Sequence, residues 1–350
     1  ERESQCGYHS TGRSAASFTE NYGTATIRRL ALASRGFLSD PPAGFCDHPL
    51  LARRGMITIA REEQRDLLAR ALEMARSLVP SIVPIDPDEA IARVPVLRRD
   101  YLAAAFFEPH SMDLDVNGLH QGFLRGARAR GARIVTDAGV SAIDRRGDLW
   151  HVETRAGTFA APRLVNAAGA WGDVVAEMAG VQPIGLQPKR RTAFNIPAPD
   201  GMSISDWPLI DDVGAEFYFK PDAGQLLVSP ADATPPEPMD AWPDDMDVAI
   251  GADRLGQATT IEVHRVSRAW AGLRTFAPDG SPVVGPDDAA PGFFWLVGQG
   301  GYGIKTSPAM SRICAAAVRG EGLPGDILER GVTAADIGPS RFRAKVAARD

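Results

Sequence analysis

The stretch Gly292–Gly320, "GFFWLVGQGGYGIKTSPAMSRICAAAVRG", carries the reading of the fold. An apolar run that reads as a buried strand passes into Gln299-Gly300-Gly301-Tyr302-Gly303, and a helix is expected to begin near Lys305 or Thr306. Four glycines lie between positions 298 and 303, more than a plain tight turn requires. They let the backbone come close to a ligand, and the helix N-terminus adds unpaired N–H groups and a partial positive charge. Such a turn suits a phosphate or a negative charge developing on a cofactor ring.

A second strand–turn–helix precedes it at "RLVNAAGAWGD", residues 163–173, where small residues again free the backbone, as in a doubly wound α/β fold. Further upstream, apolar spacing predicts a helix over 24–39, stopped by Asp40-Pro41-Pro42. "MITIA" at 56–60 reads as a short strand, and the segment after it, 62–79, as an amphipathic helix with acids in its first turn. Asp86 and Pro87 read as the cap and first position of one more short helix, and another helix is expected from Asn117 to Arg130. Between Gln187 and Ser229 the pattern changes to alternating strands of a mixed or antiparallel sheet. A Pro- and Asp-rich loop at 233–245 leads into a further helix. The order α/β, then β-rich, then α/β again implies parts assembled from non-contiguous pieces.

Composition narrows the function classes. The 350 residues have a net charge of −6 and no basic run longer than Lys189-Arg190-Arg191, which disfavours nucleic acid as a partner. Three scattered cysteines, Cys6, Cys46 and Cys314, argue against a disulfide framework and suit a reducing compartment. The histidines show no metal-binding spacing, so no metal is expected. No apolar run is long enough for a transmembrane helix, and the expected location is cytoplasmic, with peripheral membrane association open. GxSxG and P-loop motifs are absent, which leaves hydrolase and kinase readings without support.

Three further features bear on a site. Ser10-Thr11-Gly12-Arg13-Ser14-Ala15-Ala16 combines small residues, hydroxyls and one Arg, a mix suited to phosphate contact. Arg274 interrupts the apolar "AWAGLRTF", and Arg191 ends the basic run; each is either salt-bridged structurally or aimed into a pocket to hold a carboxylate. Tyr218 in "EFYFKP" would complete an anion-recognition set, and Tyr22 is either a pocket or a core aromatic.

Taken in order, "ERE…GYHSTGRSAA", "LVNAAGAWGD", "PKRRTAF", "AGLRTFAPDGSPVVG" and "GQGGYGIKTS" resemble the FAD-dependent D-amino-acid oxidase/glycine oxidase superfamily, in particular its D-arginine dehydrogenase-like members. The similarity runs over nearly the whole chain. It implies an α/β fold: an FAD-binding Rossmann-like domain with an inserted mixed or antiparallel β-sheet substrate domain. The FAD part would comprise 1–50, 112–188 and 280–340, the substrate part 51–111 and 189–279, with a tail at 341–350. Glu1 resembles the acid that holds the adenosine ribose at the end of the second Rossmann strand, with Arg2 beside the adenine. On the family's spacing, the chain then lacks roughly 30 residues of the preceding strand–turn–helix and reads as truncated.

The resemblance further implies that Ser10 to Ala16 run along the diphosphate and up to the flavin. Val140 would meet the adenine end, and Ala168, Gly169 and Trp171 would lie beneath the cofactor. Gly300, Gly301, Tyr302, Gly303, Ile304 and Lys305 would form the turn at the flavin C2 carbonyl. Arg191 and Arg274 resemble the carboxylate-binding arginines, Tyr22 and Tyr218 the pocket aromatics, and the Gly301 carbonyl an acceptor for the substrate amine. Ser17, Thr19, Leu209 and Gly272 would line the pocket.

Three departures stand out. Where D-arginine dehydrogenases carry a glutamate for the guanidinium, this chain has Gly55 or Met56, so apolar or small D-amino acids are expected over D-arginine or D-lysine. Ser17 replaces a histidine. Lys305 replaces a neutral amide, and is expected to place a cation beside the flavin. The implied activity is oxidation of a D-amino acid by hydride transfer from Cα to flavin N5, then hydrolysis of the imine to a 2-oxo acid and ammonia. The electron acceptor stays open. The alternatives are oxidation of a secondary amine or a 2-hydroxy acid, and, from another class, an inactive fragment without FAD.

Overall fold

The computed structural model describes residues 1–343. Its largest element is an eight-stranded mixed sheet. The strand order is Arg268–Phe276, Gln187–Pro197, Gln225–Ser229, Tyr218–Asp222, Leu209–Asp212, Met56–Ala60, Ala104–Glu108 and Val83–Ile85. All neighbours are antiparallel except Leu209–Asp212 with Met56–Ala60, which run parallel. Strand period 2 divides the side chains between two faces. One face carries Ile57, Ile59, Ile210, Phe219, Val228 and Phe194, all buried in one apolar core against helix Asp245–Ala258 and the short helix Pro87–Arg93. Helix Arg65–Leu78 covers one end of the opposite face, through Ala60, Leu68 and Phe106. The rest of that face looks onto the candidate site.

A second sheet is smaller. Leu164–Asn166 runs parallel to Phe293–Val297, which also pairs antiparallel with Val283–Pro286. Helices Ala25–Ser39 and Gly303–Arg319 pack together beside it, burying Leu30, Ala309, Met310 and Ile313 with Val284. Two three-stranded sheets complete the fold: the meander Val140–Arg146, Leu149–Thr154 and Gly157–Ala161, and a small sheet joining Ser17–Phe18, Met112–Leu114 and Leu51–Arg53.

The local readings hold where the signals are strongest. Helix Ala25–Ser39 starts at Thr24, whose side chain accepts from the Ile27 N–H, and the strand Met56–Ala60 is buried throughout. Asp86 caps the Pro87–Arg93 helix as expected, accepting from Glu89 N–H. The helix after the glycine turn begins two residues earlier than expected, at Gly303. Of the tail expected from 341, the first three residues close the helix Ser340–Arg343, where Arg341 pairs with Asp279 at 2.8 Å. Residues 344–350 lie outside the described residues.

Candidate active site

Two cavities adjoin, the second of them above the free face of the large sheet. The first, about 820 Å³, is lined by Glu1, Arg2, Val140, Ala168 and Trp171 among others. The second, about 430 Å³, is lined by Ser14, Ala15, Arg191, Tyr218, Gly272, Arg274, Gly300, Gly301, Gly303 and Ile304 among others. Ser10, Thr11, Arg13, Gly169 and Leu273 belong to both walls, so the two form one elongated trough. Glu1, Arg2 and Val140, expected at the adenine end, line the first chamber, and Arg191, Tyr218, Arg274, Gly300, Gly301 and Ile304, expected at the flavin and substrate end, line the second.

The segment 7–15 forms the wall where the cavities join. A single 3-10 turn, Thr11–Arg13, is held to the sheet by Trp270 Nε1–H donating to the Arg13 carbonyl at 3.2 Å and by Ser10 Oγ donating to the Leu273 carbonyl at 2.7 Å. Gly272 lets this segment pass: a Cβ there would lie 3.3 Å from the Arg13 Cβ. The Arg13 side chain serves a different purpose from the one expected. Its guanidinium is fully engaged by protein acceptors, with Asp240 at 2.5 Å and the carbonyls of Ala241 and Ala271 at 2.8 and 3.0 Å. It fastens in place the segment that walls the trough. Arg2 stacks on Trp171, 4.8 Å from its centroid.

The substrate end rests on two neighbouring strands. Arg191 lies opposite Gly272, and Arg274 is two residues further along that strand, so both side chains rise from the same face. Arg191 Nε donates to the Asp232 carbonyl at 2.7 Å. Neither guanidinium has a carboxylate partner among the described residues. Burial lowers the Arg191 pKa, and the adjacent Arg274 cation lowers it further. Two unneutralised cations side by side in a walled cavity form an anion-binding site.

The glycine turn sits directly over this pair. Gly300 N–H donates to the Thr275 carbonyl at 2.8 Å, and Gly300 has φ +53°, with Phe276 at 2.5 Å from any Cβ placed there. A Cβ on Gly301 would lie 3.0 Å from Arg274 Nη1. Gly301→Ala is therefore expected to displace the guanidinium and raise KM several-fold with a smaller effect on kcat, measured by steady-state kinetics. An unchanged KM would count against the contact.

Several residues expected at the cofactor or in the pocket do not line the trough. Gly12 lies in the 3-10 turn, where a Cβ would come within 2.6 Å of the Gly7 carbonyl. Ala16, at φ +58°, borders a separate cavity of about 520 Å³ with Arg54, Asp113 and Lys220. Ser17 pairs with Asp113 in the small sheet, and Leu209 is buried beside Tyr218 and Met56. Thr19 is buried and donates to Glu108 Oε1 at 2.7 Å. Tyr22 and Tyr302, by contrast, stand beside the clamp: their rings are tilted at 60° with centroids 5.0 Å apart, and both act on the Arg274 charge.

Lys305 overturns its expectation. Ile304 and Ser307 line the cavity, and one residue's rotation of about 100° turns Lys305 off that face. Its amino nitrogen is buried against the loop before helix Ala25–Ser39, donating to the Thr19 and Tyr22 carbonyls at 2.8 and 2.7 Å. The cation expected beside the flavin instead anchors the loop that carries Tyr22. Sequence reasoning also missed two acids on the trough-side face: Glu108, tied to Thr19, and Asp211, beside Tyr218. Strict alternation in "PLIDDV", read as a strand, would have put Asp211 on the same face as Leu209.

Residues 1–317 match the family described as DAO, FAD dependent oxidoreductase. The chain belongs to this family. Its members bind FAD, and the trough fits that elongated cofactor: two joined chambers, a backbone wall at their junction, and the N-terminus of a 17-residue helix at one end. The chain is 27% identical over 297 residues to glycine oxidase of Geobacillus kaustophilus, spanning 83% of this chain and 73% of that protein. It is 25% identical over 239 residues to mitochondrial dimethylglycine dehydrogenase of Mus musculus, covering 63% of this chain and 27% of that one. The chain spans less than a third of the dimethylglycine and human sarcosine dehydrogenases it matches, 27 to 29% of their lengths.

The fold is shared with the crystal structure of G. kaustophilus glycine oxidase, at TM-score 0.79 and 23% identity, covering 92% of this chain and 87% of that one. It is also shared with L-proline dehydrogenase from P. horikoshii, at TM-score 0.78 and 19% identity, covering 96% and 88%. The mixed α/β fold and the FAD cofactor stand as expected from the sequence. The chain is thus a member of the FAD-dependent oxidoreductase family, and the relatives it matches are named for glycine, sarcosine and dimethylglycine. No helix among the described residues is long and apolar enough to cross a membrane.

Proposed function

We propose that this protein oxidises a D-amino acid to its imino acid, which water then hydrolyses to a 2-oxo acid and ammonia. The observation that carries the reading is the pair Arg191 and Arg274, unneutralised, on one face and in one cavity with the glycine turn. Bound FAD supplies the electron-accepting ring that takes the hydride from the substrate Cα. The chain's own residues orient the substrate for it. The two guanidiniums hold the α-carboxylate, so that Cα is presented to one fixed position above the glycine turn. The Gly301 carbonyl accepts a hydrogen bond from the amino group, and Tyr22 and Tyr218 close the sides. The amine proton leaves to water, since no side-chain base is needed once the amine is neutral. In this reading the large sheet, drawn from 51–111 and 189–279, is the substrate part, and 1–50, 112–188 and 280–340 hold the cofactor.

The resemblance to D-arginine dehydrogenases supports the D-amino acid assignment. A panel of D- and L-amino acids with an artificial electron acceptor, compared with hydrogen peroxide release, tests it. Reduction only by L-enantiomers would overturn it. Tyr218→Phe is expected to raise KM about 5- to 10-fold, the loss of one hydrogen bond to the bound carboxylate, with kcat nearly unchanged.

A second reading is favoured by the relatives named dimethylglycine dehydrogenase and sarcosine dehydrogenase. The same clamp would hold the carboxylate of an N-methylated glycine. Adding sarcosine and dimethylglycine to the panel separates the two.

A further inference from the structure

The strand Leu209–Asp212 lies inside the large sheet, with Asp211 opposite Thr58 on one side and Tyr218 on the other. Its neighbours in sequence, Ile210 and Asp212, are buried at 0% and 1% exposure. Asp211 itself is only half-buried. A residue on an interior strand reaches solvent only through the space above its own face, and Asp211 shares its face with Leu209 and Tyr218. The opposite face is closed by the apolar core around Ile57, Ile210 and Phe219. The space above the Asp211 face is the trough side, where Tyr218 on the adjacent strand, opposite Asp211, lines the substrate-end cavity.

Its carboxylate has no hydrogen-bond or ion-pair partner among the described residues. Asp212, by contrast, is met by the Glu216 N–H at 3.3 Å and by Gln64 Nε2 at 3.4 Å. Burial raises the Asp211 pKa, as do Asp212 and Glu108, while Arg191 and Arg274 lower it; the balance leaves it at about 7. The acid thus feels both arginines of the clamp without touching either.

The register sets the spacing. Asp211, Tyr218 and Ser229 lie in one row across neighbouring strands, and the strand carrying Arg191 comes next. Three strand spacings of about 4.8 Å, with two residues of offset along the strand, put Arg191 and Asp211 roughly 16 Å apart at their Cα atoms. Both side chains rise from the same face and so do not close that span; a carboxylate and an ammonium separated by five methylenes, about 8 Å, with a hydrogen bond of about 2.8 Å at each end, reach roughly 13 Å, and a lean of the long Arg191 side chain covers the rest.

We propose that Asp211 receives a second, positively charged group of the substrate, an ammonium or guanidinium at the far end of the side chain from the carboxylate held by Arg191 and Arg274. This rests on the clamp described under the proposed function, and it replaces the expectation of an apolar or small side chain. A substrate with charge only at the carboxylate end leaves the acid unpaired in a walled cavity, which is costly; a distal cation pairs with it.

The test is calorimetric titration of the FAD-loaded protein at pH 8 with 6-aminohexanoate and with hexanoate. Both carry the carboxylate, neither has an α-amine to oxidise, and only one has a distal cation. The expected Kd for 6-aminohexanoate is at least tenfold lower. In D211N and D211S, of which either folded variant suffices, the two Kd values should converge to within twofold while hexanoate binding stays within threefold of wild type. Equal affinities in the wild type, no binding of 6-aminohexanoate, or a ratio that survives the substitutions would overturn the proposal. Because the ratio is independent of turnover, an intact ratio without oxidation of any D-amino acid would count against the D-amino acid reading and leave the role of Asp211 standing.

Discussion

Replacing Arg274 with Met raises KM for the amino-acid substrate and lowers kcat/KM by about 10²- to 10³-fold, the largest kinetic effect expected of any single change here. Removing one partner of a buried charge-assisted pair costs about 3–4 kcal/mol, which converts to that factor. Most of it falls on KM, because Arg191 still holds one end of the carboxylate in both ground and transition states. Met keeps the apolar length of the side chain, so the packing beneath Gly301 survives. Arg274→Lys restores the charge but not the planar fork, and recovers only part of the loss. A purely structural arginine would give a different signature. Arg274 has no carboxylate partner to lose among the described residues, and its cation already depresses the Arg191 pKa. The R274M protein without substrate should therefore be at least as stable as wild type, read as an equal or higher Tm. Normal kinetics in R274M, or a large fall in Tm, would sink the assignment.

What could be read from the sequence follows from how local each cause is. The helix at 24–39 declares itself through apolar spacing, a Thr cap and two prolines, and the glycine turn through four glycines at a strand–helix junction. Arg191 and Arg274 stand out because each interrupts a stretch that otherwise reads as buried strand. Asp211 stays hidden because its meaning depends on a partner about 150 residues away. The parallel pairing of Leu209–Asp212 with Met56–Ala60 decides which face it takes, and "IDD" before a turn reads as surface. Lys305 misleads for the opposite reason. Its position beside the cofactor turn is local and correct, but the side chain's direction is set by helix phase and by two carbonyls on a distant loop.

That misdirected lysine gives the second large effect, on stability and its pH dependence. Lys305 is buried, and burial outweighs the opposing pull of Glu108, so its pKa falls from 10.5 to about 7. Between those two values the unfolded chain carries a proton that the folded chain does not. Unfolding then takes up a proton, and stability rises with pH by about 1.4 kcal/mol per unit across this window; below pH 7 the full cost of burying the cation is present. Neutral or charged, the amine keeps N–H donors for the Thr19 and Tyr22 carbonyls. Lys305→Met removes both the donors and the titration. Leaving two buried carbonyls unmet costs about 1–3 kcal/mol each, and Tyr22 loses its anchor, so KM should rise more than kcat falls. The pH-dependent part separates this from a generic core defect. Urea unfolding of wild type and K305M at pH 7.5, 8.5 and 9.5 should show a stability difference that widens with pH, because only the wild type gains as its lysine stays neutral in the folded state. Parallel curves would mean that Lys305 remains an ammonium throughout, held so by Glu108, and that the anchor is an ion pair rather than an amine on two carbonyls.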